Sequence, residues 1–542
     1  MTTSKDLFQV PKRYKNWSYG LIAVGVVALI VGYLMYGTGD DIHHKSRFWA
    51  ALLQNSTYFL LITNASMFFV CATILAYGGW QMAFRRVPEA IAAAVPVIGA
   101  ITLVILLAIV LGGHHMTHIY HWTDAEHVKH DPILLHKAGF LNKGFFAVVT
   151  VLTIVLWSFL GWKMRQRSRM LDNNPLPSKE AAKKYIWTNT IWAALFLVVF
   201  ALTVLSSIPW LWLMSIDAHW YSTMYSWYTF ASTFVAGIAL ITLFVVYLKN
   251  NGYLEMVNRE HLHDLGKFMF AFSIFWTYLW FSQFMLIWYA NIPEETVYFK
   301  PRAQGIYSGI YWMMVIINFV APILILMSRD AKRNYTIITF MSVLIIFGHW
   351  LDFFQMVFPS PSPTHVPLIL YDLGIALGFV GLIMFVTVRS LAKYPLGFDP
   401  GSEWNYHIST NMLAYMIELI SGKTLRQYVK ETVLEPLGMK NTDWYFEPEA
   451  LGRFVTAYNY DKGKLEAAPG NYSAGTISKD QTYAEGAIGL NGPIEDYARF
   501  CQMLLNKGSF NGHRILKPET ISMMTTVNRL PAVNSGGKGF QF

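Results

Sequence analysis

The chain has 542 residues, of which 54 % are hydrophobic and only 14 % charged, and its mean hydropathy is +0.34. Soluble domains carry about 25 % charged residues, so a wholly soluble protein is excluded. The net charge of +9 does not point to nucleic acid, because residues up to 396 hold 28 Lys and Arg against 18 Asp and Glu while the remainder hold 14 against 15.

Apolar runs of about 20 residues, enough to cross a bilayer, recur as far as residue 391. Ten are read, at 18–38, 57–80, 89–113, 144–165, 187–209, 223–248, 266–290, 306–328, 335–358 and 367–391. Lys5, Lys12, Arg13 and Lys15 precede the first, and no small-residue cleavage site follows Tyr36. It therefore reads as a retained helix and not as a signal peptide. An aromatic belt at Trp210 and Trp212 blurs the end of the fifth run. With the N-terminus in the cytoplasm, loops on that side hold 21 Lys and Arg, against 7 in the opposite loops. That bias favours ten helices with both termini cytoplasmic in a bacterial inner membrane. The expected fold is an all-α polytopic membrane domain over 1–395, followed by a different text over 396–542. There Gly, Asn, Asp and Pro punctuate shorter apolar runs. Helices are expected at Thr410–Val429 and Ile494–Asn506, within a piece of a soluble α/β or α+β domain.

Ionisable residues inside apolar spans are expensive and mark candidate sites. His349 and Asp352 in the ninth run are three apart and share a helix face, which suits proton relay or a structural hydrogen-bonded pair. In the seventh run Asp264 and Lys267 also share a face, with an interfacial ion pair as the plain alternative. Ser282 and Gln283 would line a polar path or bond neighbouring helices, and Asp372 is a further proton-path candidate in the tenth run. Histidines crowd residues 114–136, but no Cys or carboxylate spacing defines a metal site there, and a solvated helix end is preferred. The two cysteines, Cys71 and Cys501, build no c-type haem attachment, iron–sulfur set or zinc finger. Only His349 lies clearly inside a span, so no pair of facing histidines offers haem b a seat. The chain is expected to bind no cofactor or metal of its own. A proton-coupled transporter is disfavoured, because no matching pair of Gly/Pro-interrupted spans is seen.

The seventh run ends in Phe281-Ser282-Gln283-Phe284-Met285-Leu286-Ile287-Trp288-Tyr289-Ala290-Asn291-Ile292-Pro293-Glu294-Glu295-Thr296, an aromatic helix stopped by proline, and Tyr298-Phe299 follow. This segment and the count of ten spans resemble the F-subunit of alternative complex III, a bacterial quinol:cytochrome c oxidoreductase, over about residues 1–394. That family is related to polysulfide-reductase/NrfD-type membrane subunits. The resemblance implies two four-helix bundles, formed by spans two to five and six to nine, with the first and tenth spans peripheral. It implies a subunit supporting electron transfer from quinol, with a proton path through its bundles. Haem c and Fe–S clusters would sit in partners: a multihaem cytochrome subunit, an iron–sulfur subunit and a sister NrfD-like membrane subunit.

Beyond residue 396, Pro400-Gly401-Ser402-Glu403-Trp404-Asn405-Tyr406, then Ser421-Gly422-Lys423, Glu435-Pro436-Leu437-Gly438-Met439 and Asp496-Tyr497-Ala498-Arg499-Phe500 occur in order. The series resembles the serine β-lactamase/penicillin-binding-protein esterase family over 397–542. Tyr406 matches the tyrosine that assists proton transfer there, although Ile408 stands where the family motif has Asn. The family activates its serine within S-x-x-K, upstream of the tyrosine. Here only Ser390–Lys393, at the end of a membrane run, and Ser535–Lys538, in a Gly-rich tail, have that form. Neither is read as the nucleophile, and the family's late K-T-G or H-x-G strand is not found, so the tail is expected to be an incomplete, non-catalytic piece with exposed sheet edges. Two accounts of the abrupt junction stay open: a join of unrelated genes or their assembly, and a true fusion to a degenerate interaction domain. The alternative function is a membrane-anchored β-lactamase-like serine hydrolase or esterase.

Overall fold

The computed structural model describes residues 8–526 apart from 39–40, 114–115, 174–178, 364–368, 394–395, 397–408, 448, 450–453, 456–457, 462–463, 468–483 and 485–489. It divides into two compact units, Met1–Phe398 and Asp399–Phe542.

Among the described residues the first unit contains ten helices long and apolar enough to cross a membrane: α1 Lys12–Gly37, α2 Ile42–Leu75, α3 Arg86–Gly112, α4 Lys143–Met170, α5 Lys183–Trp212, α6 Tyr225–Asn250, α7 Arg259–Ala290, α8 Ser308–Ile325, α9 Tyr335–Val357 and α10 Leu370–Leu391. Side chains start several of them by accepting the free N–H groups of the first turn. Asp41 accepts from His43 before α2, and Asn334 from Thr336 and Ile337 before α9. Before α7, Asn258 and His261 form a reciprocal capping box. Helix α2 begins fifteen residues before the apolar run read at 57–80. Its first turns carry Ser46, Arg47, Gln54, Asn55, Ser56 and Thr57, all buried. These polar residues depress the local hydropathy and conceal the helix from a scan for apolar runs.

α5 and α8 each contain a π turn, Thr203–Ser207 and Ile316–Val320, followed at once by Pro209 and Pro322. Proline has no N–H to continue the ladder, and a wider turn absorbs the mismatch. Gly348 of α9 lies against the α8 turn: a Cβ there would stand 2.1 Å from Asn318 Oδ1 and 2.4 Å from Ile317 Cγ2.

Packing neighbours form two closed rings. One runs α2–α3–α4–α5 and returns to α2, and the other runs α6–α7–α8–α9 and returns to α6. α2 and α6 join the rings, and α1 pairs with α10. α2 is tied to α9 by three long-range bonds: Gln54 Nε2 donates to Trp350 O (3.1 Å), Trp350 Nε1 to Asn55 Oδ1 (2.9 Å) and Tyr58 OH to Ile346 O (2.6 Å).

In the second unit, α11 Ser409–Ser421 and α12 Leu425–Val429 replace the single helix expected over Thr410–Val429. Gly422, at φ +68°, turns the chain between them. The strands β1 Tyr458–Asp461 and β2 Lys464–Ala467 pair antiparallel, as do β3 Ser509–Phe510 and β4 His513–Arg514. α13 Ile494–Leu505 precedes β3, and α14 Pro518–Thr526 follows β4. Two small cores hold the unit: Ala414, Leu425, Trp444 and Ala484 in one, and Leu434, Leu437, Met439 and Met503 in the other. Asp443 pairs with Arg426 at 2.7 and 2.8 Å, and Asp496 accepts from Asn441 N and Thr442 Oγ1.

Candidate functional site

His349 and Asp352 are both fully buried on α9. Their i,i+3 spacing sets His349 Nδ1 and Asp352 Oδ2 3.8 Å apart, beyond hydrogen-bond reach. Each is instead held by neighbouring helices. Tyr228 OH of α6 donates to Asp352 Oδ1, and Trp276 Nε1 of α7 donates to Oδ2 at 2.9 Å. One turn along α6, Ser232 Oγ meets His349 Nδ1 at 3.0 Å. The Trp276 indole and the His349 imidazole stand nearly perpendicular, with centroids 5.3 Å apart. His349 Nε2 is buried without a partner. Three helices thus converge on a buried carboxyl–imidazole pair.

The cluster continues toward one end of the second ring. A cavity of about 10 Å³, roughly the room for one water, is bordered by Asp352, Tyr228, Tyr225, Gln283, Tyr298 and Arg302. Gln283 Oε1 accepts from Ser222 Oγ at 3.0 Å on its wall. Arg302, only 1 % exposed, closes that end. Its Nε donates to Gln355 O (2.7 Å), Nη1 to Tyr298 O (2.6 Å), and Nη2 to Met356 O (3.4 Å) and Asp217 Oδ2 (3.0 Å). The guanidinium also lies 3.6 Å over the Tyr298 ring. Burial disfavours its charge, but Tyr298 and Asp217 more than offset that and hold its pKa above the ordinary arginine value.

Of the residues picked out by sequence, His349, Asp352 and Gln283 meet here. Ser282 does not; its hydroxyl bonds back to Leu279 O on its own helix. Asp264 lies twelve residues before Trp276, about 18 Å along α7, in an ion pair with Lys267 at 2.7 Å. Asp372 forms a separate buried pair with Arg47, at 2.9 and 3.4 Å, and the rings of Tyr36 and Tyr371 flank the guanidinium. Sequence reading missed Tyr228, Ser232, Trp276, Tyr225, Tyr298 and Arg302. The signal for three of them was present: Tyr225, Tyr228 and Ser232 recur at helical spacing within the sixth apolar run.

Among the described residues, no group of three or more His, Cys, Asp or Glu could hold a metal ion. Within the 114–136 stretch, the His118 and His121 rings touch, at 6.1 Å between centroids. Of the hydrolase-like features, Tyr406, Ser535 and Lys538 lie outside the described residues. Ser390 and Lys393 lie in the turn that ends α10, where Lys393 N donates to Ser390 O at 3.4 Å.

Residues 371–542 match the family model described as beta-lactamase. The match opens inside α10, upstream of residue 397 where the motif resemblance begins. The chain is 30 % identical over 141 residues to an uncharacterized protein of Mycobacterium tuberculosis, covering 26 % of this chain and 35 % of that protein. It is 24 % identical over 156 residues to a putative D-alanyl-D-alanine carboxypeptidase of Escherichia coli, covering 26 % and 36 %. To esterase EstB of Burkholderia gladioli it is 26 % identical over 152 residues, covering 25 % and 36 %. The chain spans about a third of the length of these relatives. Residues 371–542 therefore carry a β-lactamase-family domain.

Proposed function

We propose that residues 1–395 form a multi-pass subunit of a bacterial inner membrane, with both termini cytoplasmic, serving a quinol:cytochrome c oxidoreductase of the alternative complex III type. The resemblance at residues 281–296 supports this reading, and the two rings of packed helices fit the bundles it implies. The electron carriers belong to the partners: quinol at a sister NrfD-like subunit, haem c and Fe–S clusters in cytochrome and iron–sulfur subunits. This chain contributes a seat for them and a proton station.

The observation that carries the proton role is Asp352, fully buried, bonded by two neutral donors and beside a one-water cavity. Among the described residues no cation pairs with it within hydrogen-bond distance, so the proton is the readiest source of neutralising charge. His349, with its free Nε2, continues the route on the same helix face. Asp352→Asn removes the titrating group while keeping its shape. Proton uptake per quinol oxidised, measured in the reconstituted complex, is expected to fall in that variant. An unchanged stoichiometry would overturn the relay.

The relatives favour a second reading, a membrane-anchored β-lactamase-like hydrolase or esterase, supported by the family match and by similarity to carboxypeptidases and esterases. That chemistry needs a serine activated by a lysine one helical turn away. We read the tail as non-catalytic, because Ser390–Lys393 sits in the turn that closes an apolar helix. Fluorophosphonate and penicillin probes are expected to leave the purified full chain unlabelled. Labelling that disappears in Ser390→Ala or Tyr406→Phe would establish the hydrolase instead.

A further inference from the structure

α1 and α10 run antiparallel and cross on small residues. A Cβ on Gly25 would stand 2.4 Å from Gly378 Cα, and one on Gly381 would stand 2.9 Å from Ser18 O. Backbones this close leave no room for a lipid chain along the middle of the seam. Toward the start of α1 and the end of α10, large side chains take over. Tyr19 and Phe385 meet with ring centroids 5.6 Å apart. A groove of about 270 Å³ opens there, bordered by Tyr14, Lys15, Tyr19, Phe385, Val388 and Arg389.

Two features make this groove more than a packing defect. Lys15 and Arg389 stand on opposite walls, one from each helix, and both are exposed. Neither has a carboxylate partner among the described residues, and none of the groove's bordering residues is acidic. Elsewhere in this unit, charged side chains near helix ends are commonly paired: Asp264 with Lys267, Glu260 with Arg333, Arg86 with Asp172. Below the two cations the walls turn apolar, through Val388 and Phe385. The order, two cations above an apolar cleft beside an apolar helix pair, matches the anatomy of an anionic lipid: a phosphate at the surface and an acyl chain beneath it.

We infer that the groove between α1 and α10 is a binding site for an anionic glycerophospholipid, with Lys15 and Arg389 clasping its phosphate. The site rests on the reading that this unit spans a membrane, and it is independent of any proton path. It lies at the end where basic residues accumulate, which is the face proposed as cytoplasmic. A lipid held there would fill the groove beside the Tyr19–Phe385 contact.

The full chain is reconstituted into nanodiscs of phosphatidylcholine with a minority of phosphatidylglycerol, and lipid retained through detergent re-extraction is counted by mass spectrometry. Wild type is expected to retain phosphatidylglycerol above its bulk share. Each cation removed, by Lys15→Gln or Arg389→Gln, is expected to lower that enrichment about fivefold. Lys12→Gln/Arg13→Gln removes two charges from the same end outside the groove and is expected to lower enrichment less than either single groove substitution does. An equal loss in that control would make the effect a diffuse surface field and overturn the site, as would retention without lipid preference in wild type. Inorganic phosphate added in place of lipid is expected not to displace phosphatidylglycerol; displacement would assign the groove to a free anion. A chain that fails to fractionate with membranes would instead refute the membrane reading itself.

Discussion

Asp352 shows how a carboxyl is kept in an apolar interior without a cation. Two neutral donors from two other helices, Tyr228 and Trp276, take its two oxygens. Such a bond is worth about 0.5–1.5 kcal/mol to a neutral group and about 1.5–3 kcal/mol to a charged one, so Trp276→Phe is expected to destabilise the detergent-solubilised protein by about 0.5–3 kcal/mol. In the Asp352→Asn background the same substitution is expected to cost clearly less, as read by thermal unfolding of the four proteins in the cycle. Equal costs would mean that the bond contributes nothing. Outside the spans, Asp131 receives a bond from His219 and caps the short helix Pro132–Lys137 through Ile133 N and Leu134 N. The His219 bond first, then those backbone bonds, hold its pKa below the ordinary carboxylate value. A depressed folded-state pKa stabilises above the unfolded value and is lost as pH falls through the folded one. The difference in melting temperature between wild type and Asp131→Asn is therefore expected to be constant near neutrality. It should close as pH drops below the ordinary carboxylate range; a gap independent of pH there would refute the linkage. At this scale the reading of sequence found what one helix face can show. His349 and Asp352 are three residues apart and were visible, whereas Tyr228 and Trp276 come from 124 and 76 residues away. Their partnership is a product of packing.

At the scale of elements, α9 is the helix on which the second ring is organised. Arg302 takes the carbonyls of Gln355 and Met356 at its C-terminal end, groups that have no partner within the helix. Counting Arg302 as a loop charge, as sequence alone invites, hides this role, because a buried arginine and a solvated one look alike in a row of letters. At the middle of α9, Gly348 lets the backbone reach the π turn of α8, where both polar atoms of the Asn318 side chain are buried without a partner. Gly348→Ala is expected to cost about 1–3 kcal/mol of stability by overpacking. Asn318→Ala in the same chain should recover part of it, since it removes the atom nearest the added methyl. Thermal unfolding of the single and double variants checks this, and no recovery would place the clash elsewhere. The π turns themselves were not read from sequence. Pro209 and Pro322 announce a broken ladder, but nothing local decides between a kink and a wider turn.

For the whole molecule, hydropathy outlined ten helices because apolar length is a local property. It misjudged α2 most, since that helix is surrounded by protein and fills its first turns with polar groups that pair at a distance. The two-part character of the chain was legible for a similar reason: composition changes near residue 396, and the contacts divide between Phe398 and Asp399. The small strands of the second unit were not, because two- and four-residue pairings leave almost no alternation to read. The bonds from Gln54, Asn55 and Tyr58 to α9, and from Arg47 to Asp372, bear on how such a chain is made. During synthesis α2 leaves the ribosome roughly three hundred residues ahead of the groups that satisfy it. A nascent chain halted before α9 therefore presents a second helix that still lacks the α9 and α10 groups which Gln54, Asn55, Tyr58 and Arg47 bond in the finished fold, the kind of segment that insertion machinery must shelter and quality-control proteases recognise.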